Sequence, residues 1–240
     1  SVGGRIETRP AAPVKPDVLV TITDPQAAAR VSRGAEKLIA ALDAFDFEAT
    51  GRLAVDVGAS TGGTEALAVV LGALPRESPA VLVVQHMPEG FTKAFAGRLN
   101  GLAAMQVKEA EDGDPVRQGL VLLAPGNRHM SIVRDGARFV VRIDSSPHVN
   151  RHRPSVDVLF RSAAETFGPR SVGVLLTGMG KDGAAGLLEM KNRGAQTIAQ
   201  DESTSIVFGM PKEAIALGAA TRVLPLQNVG EGILDLLPKS

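Results

Sequence analysis

Five short apolar runs recur from residue 53 onward, and most do not alternate with polar residues. They read LAVDV at 53–57, AVLVV at 80–84, LVLLA at 120–124, VGVLLT at 172–177 and QTIA at 196–199. A strand with one wet face alternates, whereas a strand covered on both faces is continuously apolar, the condition inside a parallel sheet flanked by helices. Helical spacing falls between many of these runs, at 64–73, 90–101, 155–167, 183–193 and 211–218. This order predicts an α/β fold, a doubly wound, mostly parallel sheet with helices on both faces. His129 to Ile143 departs from the rhythm and reads as a β-hairpin around Asp135-Gly136.

The first fifty residues read differently. Pro10, Pro13, Pro16 and Gly3-Gly4 break any regular pattern, residues 17–23 (DVLVTIT) read as a strand, and residues 27–42 place Val31, Ala35, Leu38 and Leu42 on one helical face. Residues 1–50 are expected to be a linker or N-terminal extension and residues 51–240 the functional domain. Ser1-Val2-Gly3-Gly4 carries no signal-peptide pattern and no initiator Met, which reads as a fragment or a processed chain.

Composition excludes several function classes. Lys+Arg and Asp+Glu are both 26, so the net charge is zero and nothing global points to nucleic acid or an anionic membrane. No apolar run approaches the roughly 20 residues of a membrane helix. Cysteine is absent, which rules out disulfides and thiol chemistry and fits a reducing, cytoplasmic compartment. Aromatics are 3%, without Trp or Tyr, leaving no stacking platform for bases.

Gly58-Ala59-Ser60-Thr61-Gly62-Gly63 follows a predicted strand, precedes a predicted helix and contains G-x-S-x-G. Small flanking residues permit a sharp turn that lifts a serine hydroxyl above the sheet edge. The helix N-terminus beyond it supplies free N–H groups for an oxyanion. The same residues also suit a plain glycine-rich turn with Thr64 capping the helix. They fit neither a Walker A loop, which needs G-K-[ST], nor the G-x-G-x-x-G spacing.

A serine nucleophile needs a base. His86 stands just past the run 80–84, so Ser60 and His86 both fall at the carboxyl ends of consecutive strands, where ligand crevices form. His129 opens the hairpin and reads as an ordinary surface histidine; His148 and His152 lie in a basic loop, 148–154. An orienting carboxylate is expected at a third strand end. Asp182, in Thr177-Gly178-Met179-Gly180-Lys181-Asp182-Gly183, fits this role, or else caps the helix that follows; Asp201 competes with it. The chain order Ser60, His86, Asp182 differs from the Ser, acid, His order of the α/β-hydrolase fold, so that fold is not expected.

Together these segments resemble the catalytic domain of the chemotaxis protein-glutamate methylesterases, the CheB family, from about Arg52 to about Leu226. The resemblance rests on GASTGGTEAL at 58–67, QHMPEGFTKAFAGRL at 85–99, KEAEDGDPV at 108–116, APGNRHM at 124–130, RHRPSVDVLFRSAAE at 151–165, LTGMGKDGAAG at 176–186 and QDESTSIVFGMPKEAI at 200–215. It implies a triad of Ser60, His86 and Asp182, and an oxyanion hole that includes the backbone N–H of Met179 together with that of Thr61. The implied reaction is hydrolysis of glutamate γ-methyl esters on chemoreceptor cytoplasmic helices, with deamidation of receptor glutamines as a companion activity and no metal or organic cofactor. From strand-end placement, Met87-Pro88 and the loop 203–211 are expected to line the pocket. Arg98, Arg151 and Arg153 suit an acidic receptor surface or, equally, a solvated basic face. Family members carry a receiver domain that fifty residues cannot hold, so a receiver domain missing from this chain is implied as a partner. Asp56 departs from the family pattern, standing where an apolar residue is expected.

Overall fold

The computed structural model of the chain describes residues 61–236, Thr61 through its backbone only. The strands expected at 17–23 and 53–57, the helix expected at 27–42, Asp56, Ser60 and the domain boundary near residue 50 lie outside the described residues.

Helix α1 (Thr61–Gly72) leads into β1 (Val81–Val83), α2 (Phe91–Leu102), β2 (Gln106–Glu109) and β3 (Leu120–Leu123). The hairpin β4 (His129–Asp135) and β5 (Arg138–Asp144) follows, then α3 (Val156–Thr166), a 3₁₀ turn (Gly168–Arg170), β6 (Val172–Leu175), α4 (Ala184–Asn192), β7 (Gln196–Gln200), α5 (Met210–Ala216), β8 (Arg222–Leu224) and α6 (Leu226–Leu236). Among the described residues, β1, β3 and β2 form one parallel set in that order, and β6, β7 and β8 another. Of the described strands, β4 and β5 alone pair antiparallel, with Asp135 paired to Arg138 across their turn.

Burial explains the apolar runs. All four residues of β3 are buried, because it lies between β1 and β2 and is covered on both faces. In β6 the two faces separate: Leu175 joins the core shared with α3, α4 and α5, while Val172, Val174 and Leu176 pack with Val70 of α1 and Val229 of α6. Helices therefore cover both faces of this sheet, as a doubly wound fold requires. Gly173 belongs to the first face, where an added Cβ would stand 2.6 Å from Leu187 and 2.9 Å from Met190 Sδ.

Three elements lay hidden in the sequence. Strands β2 and β8 border their sets and are only partly buried, so neither carries an apolar run. Helix α6 contains Gly230 and Gly232, each costing about 1 kcal/mol of helix propensity relative to alanine. Both are needed for close packing: a Cβ at Gly230 would lie 2.5 Å from Ala73 Cβ, and one at Gly232 would lie 2.4 Å from Leu224 Cδ1.

Candidate active site

The carboxyl ends of β1 and β6 carry the two side chains of the candidate catalytic pair. After β1 the chain makes a tight turn in which the Met87 N–H donates to Gln85 O at 2.9 Å, with His86 as the central residue. After β6 the loop 177–183 delivers Asp182, whose side chain is fully buried. His86 Nε2 lies 2.8 Å from Asp182 Oδ2.

Asp182 is held from several directions. Its Oδ1 accepts from Asn150 Nδ2 at 2.8 Å and Ser155 Oγ at 2.7 Å; its Oδ2 accepts the Val156 N–H at 2.7 Å. The Asp157 N–H makes a longer contact of 3.5 Å to Oδ1. Burial pushes the carboxyl up, but the hydrogen bonds from His86, Asn150, Ser155 and the Val156 N–H outweigh it and hold Asp182 well below the usual carboxylate range. Asp182 is thus an anion and accepts the hydrogen of His86 Nε2. That fixes the tautomer and leaves Nδ1 as the basic nitrogen.

The helix that Asp182 caps is not the one expected. Gly183, in the left-handed region at φ 88°, is the N-cap of α4, whereas the Asp182 carboxylate sits on the first N–H groups of α3. Ser155 occupies the N-cap position of α3 without capping it, because its hydroxyl turns to Asp182. Asp157, in the first turn of α3 and itself buried, accepts the Gly186 N–H of α4 at 2.7 Å. Asn150 Nδ2 donates to Asp157 Oδ2 at 2.7 Å as well as to Asp182.

The histidines divide by role. The imidazole of His152 lies flat on that of His86, with ring centroids 3.9 Å apart and planes 9° apart. His129, expected at the surface, is buried: its Nδ1 accepts the Ser155 N–H at 3.3 Å, so Nε2–H donates to Pro147 O at 3.1 Å. The hairpin start thus supports the residue that holds Asp182. His148 is exposed. Asp201 accepts from Ser203 and Thr204 inside its own loop.

The other candidate residues fall on several elements. Met179 is 66% exposed on the loop 177–183, and its N–H donates to no other described residue. That loop is fastened to the loop 201–209: the Gly178 N–H donates to Val207 O, the Met210 N–H to Gly178 O, and the Val207 N–H to Thr177 Oγ1. Buried Gln200 joins the same two loops, accepting the Thr177 N–H and donating to Thr204 O. Ile206, on the second loop, lies so close to the first turn of α1 that a Cβ at Gly62 would be 2.7 Å from its own. The backbone of Thr61 begins α1. Met87 is half-buried beside His86, and Arg98 is exposed on α2. Arg151 is exposed at φ 68°, and Arg153 donates to Asn127 Oδ1 and to the carbonyls of Ser145 and Ser146. Sequence reasoning did not single out Asn150, Ser155, Asp157 or Gln200; their partners lie far along the chain and leave no local pattern.

An ionised, buried carboxylate orienting a histidine beside a helix N-terminus suits acyl transfer. Residues 55–233 match the CheB methylesterase family. A protein-glutamate methylesterase/protein-glutamine glutaminase of Rhodospirillum rubrum is 64% identical over 178 residues, 74% of this chain and 49% of its own length. One from Xanthomonas campestris pv. campestris is 54% identical over 209 residues, 87% of this chain and 59% of its own. The chain spans about half the length of the curated relatives it matches. The crystal structure of the Thermotoga maritima CheB methylesterase catalytic domain superposes with a TM-score of 0.72 at 42% identity, covering 74% of this chain and 94% of that one. On these matches, and on a mostly parallel α/β architecture that agrees with the solved domain, the chain belongs to the CheB methylesterase family.

Proposed function

We propose that the chain hydrolyses γ-methyl esters of glutamate side chains on chemoreceptor cytoplasmic helices, with Ser60, His86 and Asp182 as its triad and residues 51–240 as the catalytic domain. The observation that carries this reading is the His86 Nε2–Asp182 Oδ2 hydrogen bond of 2.8 Å, which leaves Nδ1 free to take a proton. In the proposed reaction Ser60 Oγ attacks the ester carbonyl and its proton passes to His86 Nδ1. The oxyanion meets the backbone N–H groups of Met179 and Thr61; one such donor is commonly worth about 3 kcal/mol. The imidazolium returns the proton to the methoxide leaving group, methanol departs, and the acyl group remains on Ser60. Water then adds by the same route, its proton relayed through His86, and releases glutamate.

The paired name of the curated relatives supports glutamine deamidation by the same route, with ammonia as the leaving group. Met87, Arg98 and Arg151 are proposed to meet the receptor helix. Arg153 contributes by fixing the loop ends at Asn127 and Ser145 that flank the site. The proposed compartment is the cytoplasm; among the described residues no helix is long and apolar enough to cross a membrane. The length of the relatives supports a receiver domain as a further partner.

Methanol release from a methylated receptor fragment tests the proposal. Turnover by the wild-type chain that vanishes in Ser60→Ala is the expected result. A folded wild-type chain that releases no more methanol than Ser60→Ala would instead mark a non-catalytic module.

A further inference from the structure

The turn Val149–His152 touches both members of the catalytic pair. Val149 and His152 exchange both backbone hydrogen bonds, 3.1 and 2.9 Å, and the two residues between them have positive φ, 52° at Asn150 and 68° at Arg151. This is the pattern of a two-residue type I′ turn, for which Asn is well suited and Arg is not. Strained backbone of this kind persists where the surroundings over-determine it, often at functional sites. At one end Asn150 reaches Asp182; at the other the His152 ring covers one face of His86.

We propose that His152 is a positioning residue for the catalytic base, its flat imidazole fixing the plane of the His86 ring so that Nδ1 keeps one direction while Nε2 stays on Asp182. The proposal rests on the triad reading above. The Asp182 hydrogen bond alone leaves the imidazole free to swing about the Nε2–Oδ2 line; a parallel ring at 3.9 Å removes that freedom. A neutral ring also suits the step in which His86 becomes a cation, because an uncharged π-face receives a cation that a second imidazolium would repel. Burial, the facing His86 and nearby His148 lower the pKa of His152 and outweigh the upward pull of Asp182, so the balance favours the neutral form. His152 does not accept the substrate proton in this scheme, so what it supplies is a flat ring and not an acid or base.

The test compares His152→Ala with His152→Phe, which keeps a flat ring but cannot titrate or hydrogen-bond. Methanol release should fall roughly ten- to a hundredfold in kcat for His152→Ala, with KM little changed, and recover most of the wild-type value in His152→Phe. Wild-type kcat in His152→Ala, or equal losses in both variants, would overturn the proposal. Independently of turnover, the Nε2–H proton of His86 should give a sharp, downfield NMR signal in the wild type and His152→Phe, and a broadened one in His152→Ala. An unchanged signal in folded His152→Ala would also overturn it. A wild-type chain without turnover but with this pattern of signals would sink the esterase reading and leave the positioning role standing.

Discussion

Asp157 and Asp182 cap each other's helices. Asp182, which precedes α4, takes N–H groups of α3, and Asp157, within α3, takes one of α4. Each carboxylate sits where helix dipoles favour an anion, and Asn150 spans the two. Asp157→Ala removes one cap, leaving the Gly186 N–H without its acceptor and the Asn150 amide with Asp182 alone. Urea unfolding at neutral pH is expected to show a loss of about 3 kcal/mol.

Asp182 links stability to pH. Its carboxyl titrates below the ordinary 3.8 in the folded chain, so the unfolded chain binds more protons as the pH falls past that value. Stability from this group is full above the unfolded pKa and lost as pH drops toward the folded one. The difference in unfolding free energy between the wild type and Asp182→Asn is therefore expected to be largest at neutral pH and to narrow below about pH 4. A gap that stays constant down to pH 2.5 would contradict the assignment.

Ser155 contributes through Asp182 and not through its own helix. Ser155→Ala deletes a 2.7 Å donor to a buried anion. It should cost about 1.5–3 kcal/mol in thermal or chemical denaturation and raise the Asp182 pKa. An ordinary N-cap serine would lower stability without moving that titration, so the acid limb of the stability curve separates the two roles.

Gly209 controls the path of the Met179 backbone. A Cβ there would stand 2.6 Å from Gly178 O and 3.2 Å from Met179 Cα, forcing the candidate oxyanion loop to move. Gly209→Ala is expected to lower kcat for methanol release roughly a hundredfold. Gly97→Ala is the contrast: it lies in the interior of α2 with open space around its Cβ position, so stability should rise by about 0.5–1 kcal/mol with activity unchanged.

The central strands were legible because burial on both faces imposes an unbroken apolar run, as in Leu120 to Leu123. The bordering β2 and β8 were not, since a partly exposed strand tolerates Gln106, Lys108 and Arg222. Helix α6 was masked by the glycines its packing demands. Within the site, His86 and Asp182 stand in the loops that follow apolar strands, where topology alone directs attention. Asn150 and Ser155 meet Asp182 across 32 and 27 residues, and a hydrogen bond of that span has no periodicity to betray it. His129 was misread for the same reason: its partners, Pro147 and Ser155, lie beyond the hairpin that it opens.

The separation of 96 residues between His86 and Asp182 has its own consequence. One member of the pair follows a strand of the first set and the other a strand of the second, so neither set alone can bring the proposed base and its anion together. A chain caught half-folded, or clipped between α3 and β6, keeps its histidine but lacks the anion that tunes it. If the pair acts as proposed, competence depends on both strand sets being in place, and a chain missing either would be chemically silent.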